Sequence, residues 1–182
     1  MDLFEKKLKL NNKTLHGYDQ KITSAKTCRR ITAYGTTFVA ENYPAGTKVL
    51  DFGGGKFEDA KNYLAEHKIK CEVYDPYNRT YEENIQAINK KYDVMLCNNV
   101  LNTLTDDVIE KAIEDMVLVM RHCQIQIGFV TVYERNKTGF GELTAPDQYQ
   151  RNAKTEIYID VLKKFFNKVS AKKKVITVEG IR

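Results

Sequence analysis

Several signatures of secreted, membrane-bound and metal-dependent proteins are missing from this sequence of 182 residues. No apolar run approaches the roughly 18 residues that a membrane-spanning helix needs, and the N-terminus lacks the apolar core of a signal peptide. The four cysteines are scattered without a C-x-x-C pair, which argues against a disulfide framework or a zinc site. We therefore expect a cytosolic (cytoplasmic) protein without membrane contact, with reduced and mostly buried thiols.

Motifs of covalent and metal-dependent catalysis are also absent. The chain contains no G-x-S-x-G, no Cys–His signature and no H-E-x-x-H. Its three histidines are isolated from one another, and no metal-ligand constellation is visible. The sequence thus predicts no metal site.

Composition favours a folded chain with a basic surface. Apolar residues make up 42% and charged residues 29%, which is typical of a globular domain. The polar, lysine-rich residues 1–20 are predicted to form an arm, and residues 21–182 a single domain. The net charge of +5 comes mainly from lysines near both ends, which are either a solvated face or an attraction for nucleic-acid phosphates.

The stretch that organises the rest of the chain is residues 48–57, an apolar strand that runs into three consecutive glycines. We predict a strand over 47–52, a turn at Gly53-Gly54-Gly55, and a helix over 57–67. Glycines at such a turn let the backbone approach a ligand, and the following helix start offers unpaired N–H groups. A purely structural turn is the alternative interpretation.

The spacing after the glycines argues against a dinucleotide site. The pattern G-x-G-x-x-G fails because Glu58 stands at its last position, beside the expected pyrophosphate. Asp75, however, ends the next predicted strand, about 20 residues beyond the glycines, where an acid can bind ribose hydroxyls. A ribose and an adenine are therefore favoured, and a nucleotide-binding oxidoreductase is disfavoured.

These motifs resemble a known enzyme family. Asp51-Phe52-Gly53-Gly54-Gly55 resembles the D-x-G-x-G motif of class I S-adenosylmethionine-dependent methyltransferases, and Asp75-Pro76-Tyr77 their acidic second motif. The stretch 92–102 resembles their fourth strand and the loop after it. Together with Gln150-Arg151-Asn152, this stretch is similar to a phage and bacterial subgroup that includes proteins associated with DNA phosphorothioation. The resemblance covers about residues 20–160, although Phe57 stands where the family often has a third glycine.

The resemblance implies an α/β fold, a Rossmann-like, doubly wound and mostly parallel sheet, with S-adenosylmethionine as cofactor. Only one helix fits between Asp75 and Tyr92, so the family's third strand is expected to be missing. The implied cofactor-binding residues lie at the ends of three strands: Asp51, Gly53, Gly54, Gly55, Asp75, Pro76, Tyr77, Asn98 and Asn99. In this interpretation Asp51 organises the amino end of the methionine part, Asp75 binds the ribose, and Pro76 and Tyr77 flank the adenine.

The acceptor side is expected in the polar stretch that follows the strand predicted over 124–132. Its candidate residues combine arginines for phosphates with tyrosines for stacking: Tyr133, Arg135, Tyr149, Gln150, Arg151 and Asn152. These side chains alternatively only pack the loop on the core. Asn98-Asn99-Val100-Leu101 replaces the D-P-P-Y-like motif of enzymes that methylate exocyclic base nitrogens.

The predicted function is methyl transfer to a nucleic acid or a small molecule. The alternative is a non-catalytic protein of the same fold that sequesters the cofactor or contacts a partner protein. The sequence gives no indication of the oligomeric state. The remaining predicted elements are helices over 24–42, 81–90, 106–121 and 154–168, strands over 70–75, 92–97, 124–132 and 175–178, and a loop over 133–150.

Overall fold

The fold is given by a computed structural model, which describes residues 33–146 and 148–182. The helices within these ranges are α1 (Tyr34–Asn42), α2 (Asp59–Glu66), α3 (Tyr81–Ile88), α4 (Asp106–His122) and α5 (Ile157–Leu162), with a 3-10 turn at Leu101–Thr103. The strands are β1 (Lys48–Phe52), β2 (Lys70–Tyr74), β3 (Val94–Asn98), β4 (Ile127–Thr131), β5 (Gly141–Ala145), β6 (Gln148–Arg151), β7 (Phe166–Lys172) and β8 (Val175–Ile181).

Six of the strands form one mostly parallel sheet in the order β2-β1-β3-β4-β8-β7. Strands β1 to β4 pair in parallel, whereas β8 runs antiparallel to both β4 and β7. The chain leaves β1 toward β2 and then returns past β1 to β3, so the strand order reverses between β1 and β3. In open α/β sheets this reversal opens a crevice at the carboxyl ends of the strands, where ligands bind.

Helices cover both faces of the sheet, as the doubly wound prediction requires. On one face, Val39 of α1 and Leu64 of α2 pack with Val94 and Phe129 in a smaller apolar cluster. On the other face, side chains from α3, α4 and α5 join the larger cluster. Most residues of β1 and β3 are buried, because both faces of these central strands are covered, and this explains why the two strands read as nearly continuous apolar runs in the sequence. The predicted fold class is confirmed.

Strand β2 lies at one edge of the sheet, so the predicted absence of a third strand is confirmed for the described residues. Between β2 and β3 the chain forms only a turn and α3, which begins with a capping box between Thr80 and Glu83. Glu72 on β2 bridges Lys61 of α2 and Lys90 beyond α3, at 3.5 and 2.6 Å. Ion pairs therefore join the two helical layers around this open edge.

Two predictions for the second half of the chain were wrong. The helix predicted over 154–168 covers only Ile157–Leu162, and the chain then enters β7 at Phe166. A two-residue turn at Lys173 and Lys174, with φ of +50° and +70°, joins β7 to β8. The stretch 133–150, predicted as a loop, instead contains most of the β5–β6 hairpin.

Other predictions near the ends fall partly or wholly outside the described ranges. The arm over 1–20 and the first part of the helix predicted from residue 24 lie outside them, and the described helix begins at Tyr34. Cys71, Cys97 and Cys123 are free and buried, as predicted, whereas Cys28 also lies outside these ranges. Within residues 33–146 and 148–182, no helix has the length and apolar character needed to cross a membrane.

Candidate functional site

The glycine turn after β1 is shaped by both backbone conformation and lack of space. Gly53 and Gly55 have φ of +75° and +77°, a region that residues with a Cβ rarely adopt. Gly54 has an ordinary φ, but a Cβ there would lie 2.6 Å from Asp51 Oδ2 and 2.9 Å from Val73 Cγ1. The turn is thus pressed against the Asp51 carboxylate, at the carboxyl end of the sheet.

Asp51 is a buried acid whose hydrogen bonds are incomplete. Its side chain lies near the end of β1 with 3% of its surface exposed, and Oδ1 has no hydrogen-bond partner among residues 33–146 and 148–182. Burial raises the pKa of this carboxyl to about 7, the nearby Asp75 charge adds to the rise, and Arg79 partly opposes it. Buried polar atoms are normally paired, so an unpaired carboxylate oxygen at the carboxyl end of a central strand indicates a place for a ligand donor.

Asp75 is also buried, but its carboxylate is fully bonded. Oδ2 accepts from the Gly55 N–H at 2.8 Å and from the Asn78 amide at 3.1 Å. Oδ1 accepts from the backbone N–H groups of Tyr77 and Asn78, both at 2.9 Å. A carboxylate offers about four lone-pair sites, so a ribose hydroxyl would have to replace one of these donors. Pro76 and Tyr77 lie partly exposed in the same turn.

Arg79 connects the turn after β2 to the turn after β1. Its Nε donates to the Gly55 carbonyl at 2.8 Å and Nη2 to the Phe57 carbonyl at 3.3 Å, while Nη1 pairs with Glu58. The role of Arg79 was not predicted from the sequence, because its partners lie more than twenty positions away. The polar run Asp75-Pro76-Tyr77-Asn78 was the available signal, since such runs form side-chain-stabilised turns.

Asn98 and Asn99 lie at the carboxyl end of β3, which pairs with β1, the strand that leads into the glycine turn. Asn98 donates from Nδ2 to Thr36 Oγ1 at 3.1 Å and accepts from Thr131 Oγ1 at 2.8 Å. Asn99 has a φ of +57°, so the chain turns sharply there. Asn98 therefore links β3 to the first turn of α1 and to β4, and both asparagines remain partly exposed.

The predicted acceptor residues surround two buried side-chain amides that are hydrogen-bonded to each other, a contact that was not predicted from the sequence. Asn102, fully buried in the 3-10 turn, donates to Gln150 Oε1 at 3.1 Å and accepts from the Tyr133 N–H at 3.3 Å. Gln150 in turn donates to the Tyr133 carbonyl at 2.9 Å. These bonds hold the β5–β6 hairpin against the loop after β3. Asn152 is 1% exposed, and its Oδ1 has no hydrogen-bond partner in the part of the chain that the structure describes.

Both arginines proposed for the acceptor side are ion-paired. Arg135 pairs with Glu142 of β5, and Arg151 pairs with Asp106 of α4 at 2.7 Å. The Arg151 guanidinium also lies 5.5 Å from the centre of the Tyr158 ring. Tyr149 packs its ring over Gly141, where a Cβ would collide with it. The structure thus brings the six predicted residues to one hairpin region, with most of their polar groups already bonded.

Comparison with known proteins supports the fold. No family model matches the chain, and no curated protein matches it either. A sugar N-methyltransferase from Streptoalloteichus sp. ATCC 53650 is similar, with a TM-score of 0.52 and 9% identity over 85% of this chain and 89% of that one. The mitomycin 7-O-methyltransferase has a TM-score of 0.50 and 15% identity over 82% of this chain and 52% of that one, so this chain spans about half of that enzyme.

A third similar structure comes from Rhodobacter sphaeroides and is provisionally assigned to the zinc-dependent alcohol dehydrogenases. Its TM-score is 0.51 at 11% identity, over 84% of this chain and 91% of that one. Among the residues described here, no group of three or more His, Cys, Asp or Glu side chains could hold a metal ion. Likeness at these identities establishes the Rossmann-like fold, and the reaction is argued from the site itself.

Proposed function

We propose that this chain binds S-adenosylmethionine and transfers its methyl group to a small-molecule acceptor. The observation that carries the proposal is the buried Asp51 carboxylate, with its unpaired Oδ1 beside a glycine turn at the carboxyl end of β1. The methionine part of this cofactor carries an ammonium group, which is a charged donor for such an oxygen. Gly53, Gly54 and Gly55 let the backbone lie against that part.

The charges of the site favour this cofactor over a dinucleotide. A pyrophosphate at the glycine turn would meet the buried Asp51 carboxylate and Glu58, whose side chain is 41% exposed. Like charges at short range repel each other, whereas a cationic sulfonium and ammonium are attracted. We therefore expect binding of S-adenosylmethionine and of its demethylated product, and far weaker binding of NAD.

The other proposed contacts follow from the ends of β2 and β3. Asp75 accepts the ribose hydroxyls in exchange for the Asn78 side-chain amide, its longest hydrogen bond at 3.1 Å. Pro76 and Tyr77 flank the adenine, and Asn98 and Asn99 border the cofactor from β3. When bound, the cofactor supplies an electrophilic methyl group. The chain's own task is to orient the acceptor and exclude water.

The hairpin region favours a small acceptor over a nucleic acid. Tyr133, Arg135, Tyr149, Gln150, Arg151 and Asn152 are the proposed acceptor-side residues. A phosphate would have to compete with Glu142 for Arg135 and with Asp106 for Arg151. The buried Gln150–Asn102 bond holds this region in place, so it suits an acceptor that fits a fixed surface.

A second candidate is a cofactor-binding protein that does not catalyse transfer. The ion pairs of Arg135 and Arg151 and the buried amides of Gln150 and Asn152 favour it, because few polar groups of the acceptor side remain open to an acceptor. Such a protein would retain the cofactor without consuming it.

Titration calorimetry and a methyl-transfer assay test these functions together. We expect S-adenosylhomocysteine to bind the parent and to bind Asp51→Ala at least tenfold more weakly, about the loss expected for a charged hydrogen bond. Tritiated methyl groups should then enter the small-molecule fraction of a cell extract. Label in DNA or RNA would refute the small acceptor, and binding without transfer would support the second candidate. Tight NAD binding without S-adenosylhomocysteine binding would refute the cofactor.

A further inference from the structure

Arg79 holds the glycine turn from the segment that follows β2, and the proposed function gives its side chain no role. The side chain is 12% exposed and reaches three successive groups of the turn: the Gly55 carbonyl, the Phe57 carbonyl and the Glu58 carboxylate. A guanidinium can do this because its donors are fixed in one plane. A lysine ammonium has the charge but not this geometry.

The same segment holds Gly55 from its other side. The Gly55 N–H donates to Asp75 Oδ2 at 2.8 Å, and the Gly55 carbonyl accepts from Arg79 Nε at 2.8 Å. Both polar groups of this peptide position are thus fixed by residues that follow β2. The backbone of the turn cannot shift by much without breaking charged hydrogen bonds.

We propose that Arg79 is a positioning residue for the cofactor, which fixes the glycine backbone beside Asp51 in the arrangement that binds the methionine end. This inference rests on the proposed cofactor. It assigns to Arg79 no contact with the cofactor, since its three acceptors are all groups of the chain.

The charge of Arg79 has a second effect that can be measured, because it acts on the ionisation of Asp51. Within residues 33–146 and 148–182, the charged and titratable groups that face Asp51 are Asp75 after β2, Arg79 beyond it, and the thiols of Cys71 and Cys97 on β2 and β3. Burial raises the pKa of both thiols, so they stay neutral near pH 7. The charge of Arg79 lowers the pKa of Asp51, and Arg79 therefore favours the ionised form that attracts an ammonium.

Three variants separate the geometric effect from the electrostatic one. Arg79→Met removes both the positive charge and the planar guanidinium donors, whereas Arg79→Lys keeps the charge alone. Arg121→Met is a matched control at an exposed position in the last turn of α4. Affinity for S-adenosylhomocysteine is measured by calorimetry across the pH range in which Asp51 ionises. We expect both Arg79 variants to bind roughly ten- to a hundredfold more weakly at alkaline pH, the effect of lost charged hydrogen bonds.

The pH at which affinity reaches half of its maximum distinguishes the variants. It should rise in Arg79→Met, remain near the parent value in Arg79→Lys, and be unchanged in Arg121→Met. A simple loss of fold stability would lower the melting temperature of both Arg79 variants without moving this midpoint, and that result would overturn the inference.

A further measurement covers the case in which Arg79→Met does not fold. Glu58→Gln removes only one partner of Arg79, and hydrogen exchange of the Gly55 amide reports the turn in the absence of ligand. Faster exchange in Arg79→Lys or Glu58→Gln supports the inference, and parent-like exchange with parent-like binding refutes it. A parent that binds no S-adenosylhomocysteine refutes the proposed function instead, so the two failures are distinguishable.

Discussion

Replacing Asp51 by asparagine should change how the stability of the ligand-free protein depends on pH. Asp51 is 3% exposed, and its folded-state pKa is raised to about 7, mainly by burial. Such a group stabilises the fold fully below its unfolded pKa of about 3.9, and this contribution is lost as the pH rises through 7. Asparagine keeps the size of the side chain and does not ionise.

The shift sets the expected magnitude. A difference of about three pKa units, at about 1.4 kcal/mol each, corresponds to about 4 kcal/mol of unfolding free energy. Between acid and alkaline pH, the parent should lose stability relative to Asp51→Asn by up to this amount. The unpaired buried amide of the variant costs about 1–3 kcal/mol at every pH. The test is therefore how the difference in unfolding free energy changes with pH, and not which of the two proteins is more stable.

Urea unfolding of the parent and Asp51→Asn at a series of pH values from about 4 to about 8.5 measures this difference. Asp160→Asn is the charge-matched control, because the Asp160 side chain is 89% exposed and lies on α5. The control should follow the parent at every pH. A constant difference between parent and Asp51→Asn across the whole range would show that Asp51 is ionised in the folded protein at all these values, and would refute the reasoning.

Three further outcomes are expected. Asp75→Ala should weaken cofactor binding by about 1.5–3 kcal/mol, and unchanged affinity in calorimetry of a folded variant would remove Asp75 from the site. Gly54→Ala places a Cβ 2.6 Å from Asp51 Oδ2, so both melting temperature and cofactor affinity should fall, and parent-like binding would show that the turn does not approach the ligand. Glu134 is buried, which would raise its pKa, but hydrogen bonds from Thr155 and the Lys137 charge lower it to about 2. Glu134→Gln should therefore destabilise the protein near neutral pH in urea unfolding, and this difference should shrink as the pH falls from about 4.5 toward 2.

The first half of the fold was predictable because its signals are local. Apolar runs at β1 and β3 have the composition of strands buried on both faces, and α4 shows a continuous apolar stripe with acids in its first turn. The helix predicted over 154–168 was too long because Ile157, Val161 and Phe165 have helical spacing. In the structure α5 ends at Leu162, and the chain enters β7 at Phe166. The turn at Lys173 and Lys174 has positive φ at both positions without the Asn-Gly signal that usually marks it.

For the candidate site, the sequence predicted where the candidate residues lie better than it predicted which hydrogen bonds they make. Asp51, the glycines and Asp75 do meet at the carboxyl end of neighbouring strands, as their placement after β1 and β2 implied. The fully bonded state of Asp75 was not predictable, because it depends on which donors the folded turns bring to it. Arg79 illustrates the same point, since its role exists only through backbone carbonyls, which every residue has.

Strand β2 is an edge strand among the residues that the structure describes, and this position affects how the protein behaves in concentrated solution. An edge strand presents unpaired backbone groups to which the strand of another molecule can add, and charged side chains are a common defence. Here β2 carries the charged residues Lys70 and Glu72, and Glu72 pairs with Lys61 on one side and Lys90 on the other. We therefore expect these surface charges to discourage intermolecular β-pairing, and we expect replacement of Glu72 by valine to make the strand edge more apolar and more prone to aggregation.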